Sequence, residues 1–233
     1  MHELEEQHSH SFLFFKPYGV LSRFTPDTPA RRTGALLTLS AFGPFPPHVY
    51  PVGRLDADSE GLLLLTDDAQ LSHHLTDPHH AHRRSYLVQV ERLPEERALQ
   101  RLREGEIQMH GRKTRPAEVR LLAGEPHLPP RAVPIRFRKS VPTAWLEITL
   151  SEGMNRQVRR MTAAIGHPTL RLVRVAIGPL IIGDLKPGEH RSLTHGEYAL
   201  LRRTIGNPPR GQTRSSVPQG SLPFPRRGRQ RRY

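Results

Sequence analysis

Gly53-Arg54-Leu55-Asp56-Ala57-Asp58-Ser59-Glu60-Gly61 runs directly into Leu62-Leu63-Leu64-Leu65-Thr66, and this stretch decides how the 233-residue chain is read. A run of four leucines bounded by polar residues predicts a short strand buried on both faces. Just ahead of it lie three carboxylates and one arginine within seven residues, after a turn at Pro51 and Gly53. An acidic side chain at the mouth of a dry sheet, beside a fixed guanidinium, can act as nucleophile or base. The same cluster also suits a solvated turn or a helix cap, so the residues alone leave both readings open.

Outward from this stretch the pattern is mixed. Residues 12–15 form a short apolar strand stopped by Lys16-Pro17-Tyr18-Gly19, where Pro and Gly force a turn. Alternation predicts strands over 86–90 and 145–150, and residues 117–122 and 170–177 are further strand candidates. Helices fit 68–75, 94–103 with Pro94 in the first turn, 154–165 and 196–203. Strands outnumber helices without alternating with them, which argues for an α+β fold with a mixed, mainly antiparallel sheet. Residues 125–142 hold five prolines among basic residues, too many for a ladder, and read as a surface loop.

A second dense motif is Glu152-Gly153-Met154-Asn155-Arg156-Gln157-Val158-Arg159-Arg160-Met161. On a helix, Val158, Met161, Thr162 and Ile165 fall within an arc of about 100°, the buried stripe of an amphipathic segment. Arg156 and Arg160 then project almost opposite, toward phosphates outside, while Arg159 enters a cleft at the helix edge with Asn155 on the same side. An ordinary helix with a solvated basic face would show the same pattern.

Charge points to a partner. Lys and Arg number 35 against 22 Asp and Glu, a net +13, and only four of the 35 are lysine. Arginine suits phosphate forks and base stacking, although a bias toward arginine codons gives the same count. Seven arginines and no acid fall in residues 207–233, leaving +6 on the rest. That tail, rich in Pro, Gly, Ser and Gln, is expected to be disordered and to tether RNA electrostatically, or merely to aid solubility. Residues 1–11 are likewise expected to be disordered. With no cysteine there is no disulfide framework or thiolate zinc site, which fits a reducing cytoplasm. No stretch approaches the ~20 apolar residues of a membrane span, and no signal peptide is evident.

These motifs occur together and in order: Lys16-Pro17-Tyr18-Gly19-Val20-Leu21, Gly53 through Thr66, Tyr86-Leu87-Val88-Gln89-Val90, Arg138-Lys139-Ser140 before Trp145, Glu152 through Met161, and Leu172-Val173-Arg174-Val175-Ala176-Ile177-Gly178. In this the chain resembles the pseudouridine synthases of the small-subunit-type ribosomal branch, and within it the large-subunit ribosomal RNA group designated E. The resemblance spans about residues 12–200. It departs in having no room for a small RNA-binding domain of the S4 type before the first strand. Asp67-Asp68-Ala69 also stands where the family usually has Asn-Asp-Gly, and Arg84 stands for a common lysine.

The resemblance implies the pseudouridine synthase catalytic fold over 12–206, no cofactor and no metal. It implies isomerisation of a ribosomal RNA uridine, in large-subunit RNA or an assembling particle, by a cytoplasmic monomer. Asp56 matches the essential aspartate, which attacks the anomeric carbon or takes the ribose C2′ proton. Arg159 matches the arginine that pairs with it, and Tyr86 the tyrosine placed against the base. Arg54 matches a residue that holds the flipped nucleotide. Leu172 or Ile177 supplies an apolar floor, and Lys16, Lys139, Arg156 and Arg160 reach phosphates. His73, His74, His79, His80 and His82 have metal-like spacing but no cysteine partners, and are read as surface or RNA-contacting groups. Other readings remain: a synthase acting on small-subunit RNA, a non-catalytic RNA-binding module, and, less well matched to +13, a glycosidase pairing Asp56 with Asp58 or Glu60.

Overall fold

The computed structural model describes residues 9–25, 36–135 and 140–206. In chain order the elements are β1 (Ser11–Lys16), β2 (Tyr50–Pro51), β3 (Glu60–Thr66), α1 (Ala69–Thr76), β4 (Arg84–Glu91), α2 (Glu96–Arg103), β5 (Gln108–Met109), β6 (Arg112–Lys113), β7 (Glu118–Leu121), β8 (Thr143–Leu150), α3 (Gln157–Ala164), β9 (Thr169–Ile177), β10 (Leu180–Ile181), β11 (His190–Ser192) and α4 (His195–Gly206). One sheet runs β11-β1-β3-β9-β4-β8-β7, with β2 on β3 and β10 on β9, and β5 and β6 pair separately. Among the described strands only β3 and β9 pair in parallel. The expected α+β fold with a mixed, mainly antiparallel sheet is what the chain adopts.

The leucine run behaves as its composition dictates. All seven residues of β3 are buried. Leu62 and Leu64 pack with Leu71 and Leu75 of α1 and Leu201 of α4, while Leu63 and Leu65 pack with Phe14, Val20, Leu39 and Val49. Each such leucine contributes roughly 2 kcal/mol by leaving water. In the other half of the sheet, Val88, Val90, Leu146 and Ile148 pack with Leu99 and Leu102 of α2 and Val158 and Met161 of α3. Asp68 caps α1, its Oδ1 accepting from the Leu71 N–H at 2.9 Å, so the Asp-Asp-Ala variant still makes a helix start.

Two expectations need correction, and a third, the ordered proline-rich loop, is met where it is described. The third helix begins at Gln157, not Met154. The Gln157 side chain accepts from the Met154 N–H at 2.9 Å and donates to Glu152 Oε1 at 2.6 Å, locking residues 152–157 as a turn, and Arg156 takes a left-handed conformation with φ 50°. The start of the chain is not wholly loose, because Ser9 Oγ lies 2.9 Å from the Tyr198 hydroxyl, His10 Nδ1 lies 2.8 Å from Asp67 Oδ2, and Ser11 opens β1. The proline-rich loop is pinned where it is described: Arg171 donates to the Pro129 carbonyl at 2.8 Å, and Arg131 stacks over Tyr18 at 4.2 Å. The arginine tail and residues 1–8 lie outside the described residues. No helix among the described residues is long and apolar enough to cross a membrane.

Candidate active site

The loop that carries Asp56 is held from both sides. The Ser22 hydroxyl donates to the Leu55 carbonyl at 2.8 Å and accepts from the Leu55 N–H at 3.0 Å. Gly19, at φ 79°, donates its N–H to the Ala57 carbonyl at 2.7 Å. The turn after β1 is thus a brace for the acidic loop. Lys16 belongs to this brace: it is fully buried and its Nζ donates to the carbonyls of Pro17 and Val20 at 2.9 and 2.8 Å. Burial brings its pKa down to about 7 against the pull of Glu60, Asp58 and Asp56. Lys16 therefore does not face phosphates, contrary to expectation.

Beyond that loop opens a cleft of about 420 Å³, lined by Arg54, Asp56, Arg84, Tyr86, Asn155, Arg156, Leu172 and Arg174 among others. These residues come from the acidic loop, β4, the turn before α3, and β9. Asp56, Tyr86 and Leu172 are thereby brought to one cleft, with Arg54 exposed at it. Ile177 is not; it is buried with Leu13, Leu62 and Leu64. Lys139 lies outside the described residues.

The arginines depart from their expected partners. Arg156, expected to point outward, turns onto the acidic loop and donates to both Asp58 oxygens at 3.0 and 2.7 Å, with Asp56 Oδ2 at 3.5 Å. Arg159, expected to pair with Asp56, donates instead to the Asp58 carbonyl at 2.5 Å, and its Nε lies 3.4 Å from Asp58 Oδ2. For Arg156 the cause is the late helix start, which takes residues 155–156 out of the helix. Arg160 is exposed as expected: its guanidinium donates to Asn155 Oδ1 at 3.1 Å and meets His110. Burial raises the Asp58 carboxyl, but the Arg156 hydrogen bond and the Arg159 charge outweigh it and hold the pKa below its ordinary value. The hydrogen bond to Asp58 raises Arg156, whereas burial lowers Arg159. Glu60 is buried and engages Arg171 through both oxygens at 3.0 and 2.9 Å. With Asp58 and Glu60 both committed to arginines, the paired-carboxylate glycosidase reading loses its second group.

The roles of two residues of the site, both within quoted motifs, escaped the sequence reading. Asp58 anchors both arginines. Arg174 is buried in the cleft wall, donates its Nε–H to the Leu62 carbonyl at 2.8 Å, and lies against the Tyr86 phenol. Burial lowers its pKa, and one of its terminal nitrogens has no partner. Its position in β9, two residues from Leu172 and so on the same side of an extended strand, was a usable signal. The histidines also differ from expectation: His74 is buried, not superficial, and the rings of His74, His80 and His82 converge. Burial is the main cause that takes His82 down to about 4 and lowers His74 as well.

A family model described as RNA pseudouridylate synthase matches residues 10–164. The chain is 56% identical over 180 residues to a Xanthomonas campestris protein named ribosomal large subunit pseudouridine synthase E, covering 77% of this chain and 92% of that one. A protein of the same name from Vibrio vulnificus is 47% identical over 182 residues, covering 78% and 74%. A solved structure described as a pseudouridylate synthase superposes with a TM-score of 0.66 at 30% identity, covering 83% of this chain and 74% of the other.

Proposed function

The chain belongs to the RNA pseudouridylate synthase family, and we infer from that premise that it isomerises a uridine of large-subunit ribosomal RNA to pseudouridine. The reaction breaks the glycosidic bond, turns the uracil and rejoins it to the ribose through carbon 5. The observation that carries the reading is the meeting of Asp56, Tyr86 and Leu172, from three distant stretches of sequence, on one cleft. The names borne by the relatives support the ribosomal large subunit as target.

The target nucleotide leaves its stack to reach the cleft, at a cost of a few kcal/mol. Arg54, exposed at the cleft, holds the extruded nucleotide or fills the gap it leaves, and Arg160 meets phosphates outside. The Asp56 carboxylate then acts at the ribose, on C1′ as a nucleophile or on the C2′ proton as a base. Arg156, at 3.5 Å, steadies that carboxylate, and Arg159 holds the loop from behind through Asp58. Leu172 forms an apolar floor that retains detached uracil while it turns. Tyr86 lies against the base and assists loss of the carbon 5 proton after rejoining. The protein works as a cytoplasmic monomer, on free RNA or an assembling particle.

Tritium release from C5-labelled ribosomal RNA, with carbodiimide primer-extension mapping of the product, tests this. Wild-type protein should release tritium from one mapped site, and Asp56→Asn should lower the rate at least about 1000-fold, a loss of about 4 kcal/mol. Undiminished release by Asp56→Asn would sink the mechanism. Absence of release by wild type from naked RNA and from ribosomal particles alike would favour a non-catalytic RNA-binding module.

A further inference from the structure

Behind the cleft wall, at the join between α1 and β4, three imidazoles meet. His74 sits in the last turn of α1, His80 in the short connecting helix Pro78–His80, and His82 two residues before β4 begins. Their ring centroids are 3.6 Å apart for His74 and His80, 4.9 Å for His74 and His82, and 5.9 Å for His80 and His82. One ring nitrogen from each lies within 4.8 Å of the other two. Packing three heterocycles this closely is a poor use of polar groups unless something binds them together.

The hydrogen bonds sharpen the point. His80 Nδ1 and His82 Nε2 are buried and have no hydrogen-bond partner, and a buried ring nitrogen in that state calls for a specific explanation. His74 Nε2 lies 2.9 Å from the Thr204 carbonyl, which fixes that nitrogen as the N–H and leaves Nδ1 with its lone pair. His82 is hydrogen-bonded to the backbone of His74. Ring nitrogens of His74 and His82 tied to backbone groups are the kind of second layer that orients histidine ligands around a metal. Asp77 adds negative charge, its Oδ2 lying 3.7 Å from His80 Nδ1.

We propose that His74, His80 and His82 form a binding site for a borderline divalent cation, zinc above all, with solvent or Asp77 completing the coordination. Three neutral imidazoles and no thiolate suit zinc, whose filled d shell accepts an irregular tetrahedron. Zn–N bonds of about 2.0–2.1 Å require nitrogens about 3.3 Å apart at tetrahedral angles. Small ring rotations bring the three donors from their present spacing to that one. The site is structural: it ties the end of α1 to the start of β4. Arg84, at that start, lines the cleft and donates to the carbonyls of Leu75 and His82 at 3.0 and 3.3 Å, so the cation would stiffen the wall in which Arg84 stands.

The test is a titration of the metal-stripped full chain with Zn²⁺ against a chromophoric chelator, beside X-ray absorption of the zinc-loaded wild type. One equivalent should bind, with three imidazole nitrogens at about 2.0–2.1 Å. His80→Asn and His82→Asn should each weaken binding more than about tenfold. A triple variant, His2→Ala, His8→Ala and His10→Ala, should bind as wild type does, which separates this site from the His-rich start of the chain. Failure to bind one equivalent, unchanged affinity in both asparagine variants, loss of binding in the triple variant, or fewer than three imidazoles in the wild-type spectrum would overturn the proposal. The absorption experiment needs no variant, so it decides even where a substitution impairs folding.

Discussion

Asp58 is the residue on which the arginines of the site converge, and it stands two positions from the aspartate assigned to chemistry. Its carboxylate and its carbonyl hold Arg156 and Arg159, and Arg156 in turn reaches Asp56. Asp58→Asn should therefore lower kcat/KM by about 10–100-fold through misplacement of the loop. Because the pair is partly exposed, its effect on unfolding free energy should stay within about 1 kcal/mol. Steady-state kinetics beside urea unfolding separates the two. Asp56 and Tyr86 were marked by the family resemblance and not by their neighbours alone, and the structure brings both to one cleft. The direction of Arg156 was not legible, since it depends on where α3 begins, and Gln157 moves that point by folding back on residues 152–154. Lys16 supplies a pH signature. Its folded pKa is about 7 against an ordinary 10.5, so between those values the unfolded chain binds more protons and stability rises with pH. Below pH 7 the ammonium is charged in both states and its burial penalty is constant. Relative to Lys16→Met, the wild type should gain roughly 1 kcal/mol per pH unit between pH 7.5 and 9.5 in urea unfolding. A flat difference would mean that the buried ammonium does not titrate there.

At the scale of elements the molecule depends on one close approach. β3 and β9 pair in parallel at Glu60 with Val173 and Gly61 with Arg174. Gly61 has φ 106°, and a Cβ there would lie 2.3 Å from the Arg174 carbonyl oxygen and 2.6 Å from its nitrogen. Only glycine meets both demands. Gly61→Ala should cost about 3 kcal/mol or more, read by urea unfolding, and should draw Arg174 away from Tyr86 as the strands part. The long strands β1, β3, β4, β8 and β9 were legible from apolar runs or period-two alternation. The two- and three-residue strands β2, β5, β6, β10 and β11 were not, because so few residues show no period and their pairing is set by the strand they meet.

At the scale of the whole molecule, the fold class followed from strands that outnumber helices without alternating with them, but which strands adjoin could not be read, since register is a property of pairs. The charge was readable from the start. Seven of the arginines lie in residues 207–233. Truncation after Gly206 should raise the apparent KM several-fold at low salt and flatten its salt dependence, with kcat nearly unchanged. Equal salt slopes with and without those residues would show that they do not engage RNA. The sheet order has a further consequence. β9, which brings Leu172 and Arg174, sits between β3 and β4, both of which precede it in the chain, and its contact with β3 spans more than a hundred residues. Contacts this distant make for slow folding, in milliseconds to seconds rather than microseconds. During synthesis, Asp56, in the loop that leads into β3, and Tyr86, on β4, leave the ribosome well before β9, which lies between those two strands. A nascent chain thus carries Asp56 and Tyr86 before it holds Leu172 and Arg174, so the cleft lacks one wall until β9 has been made.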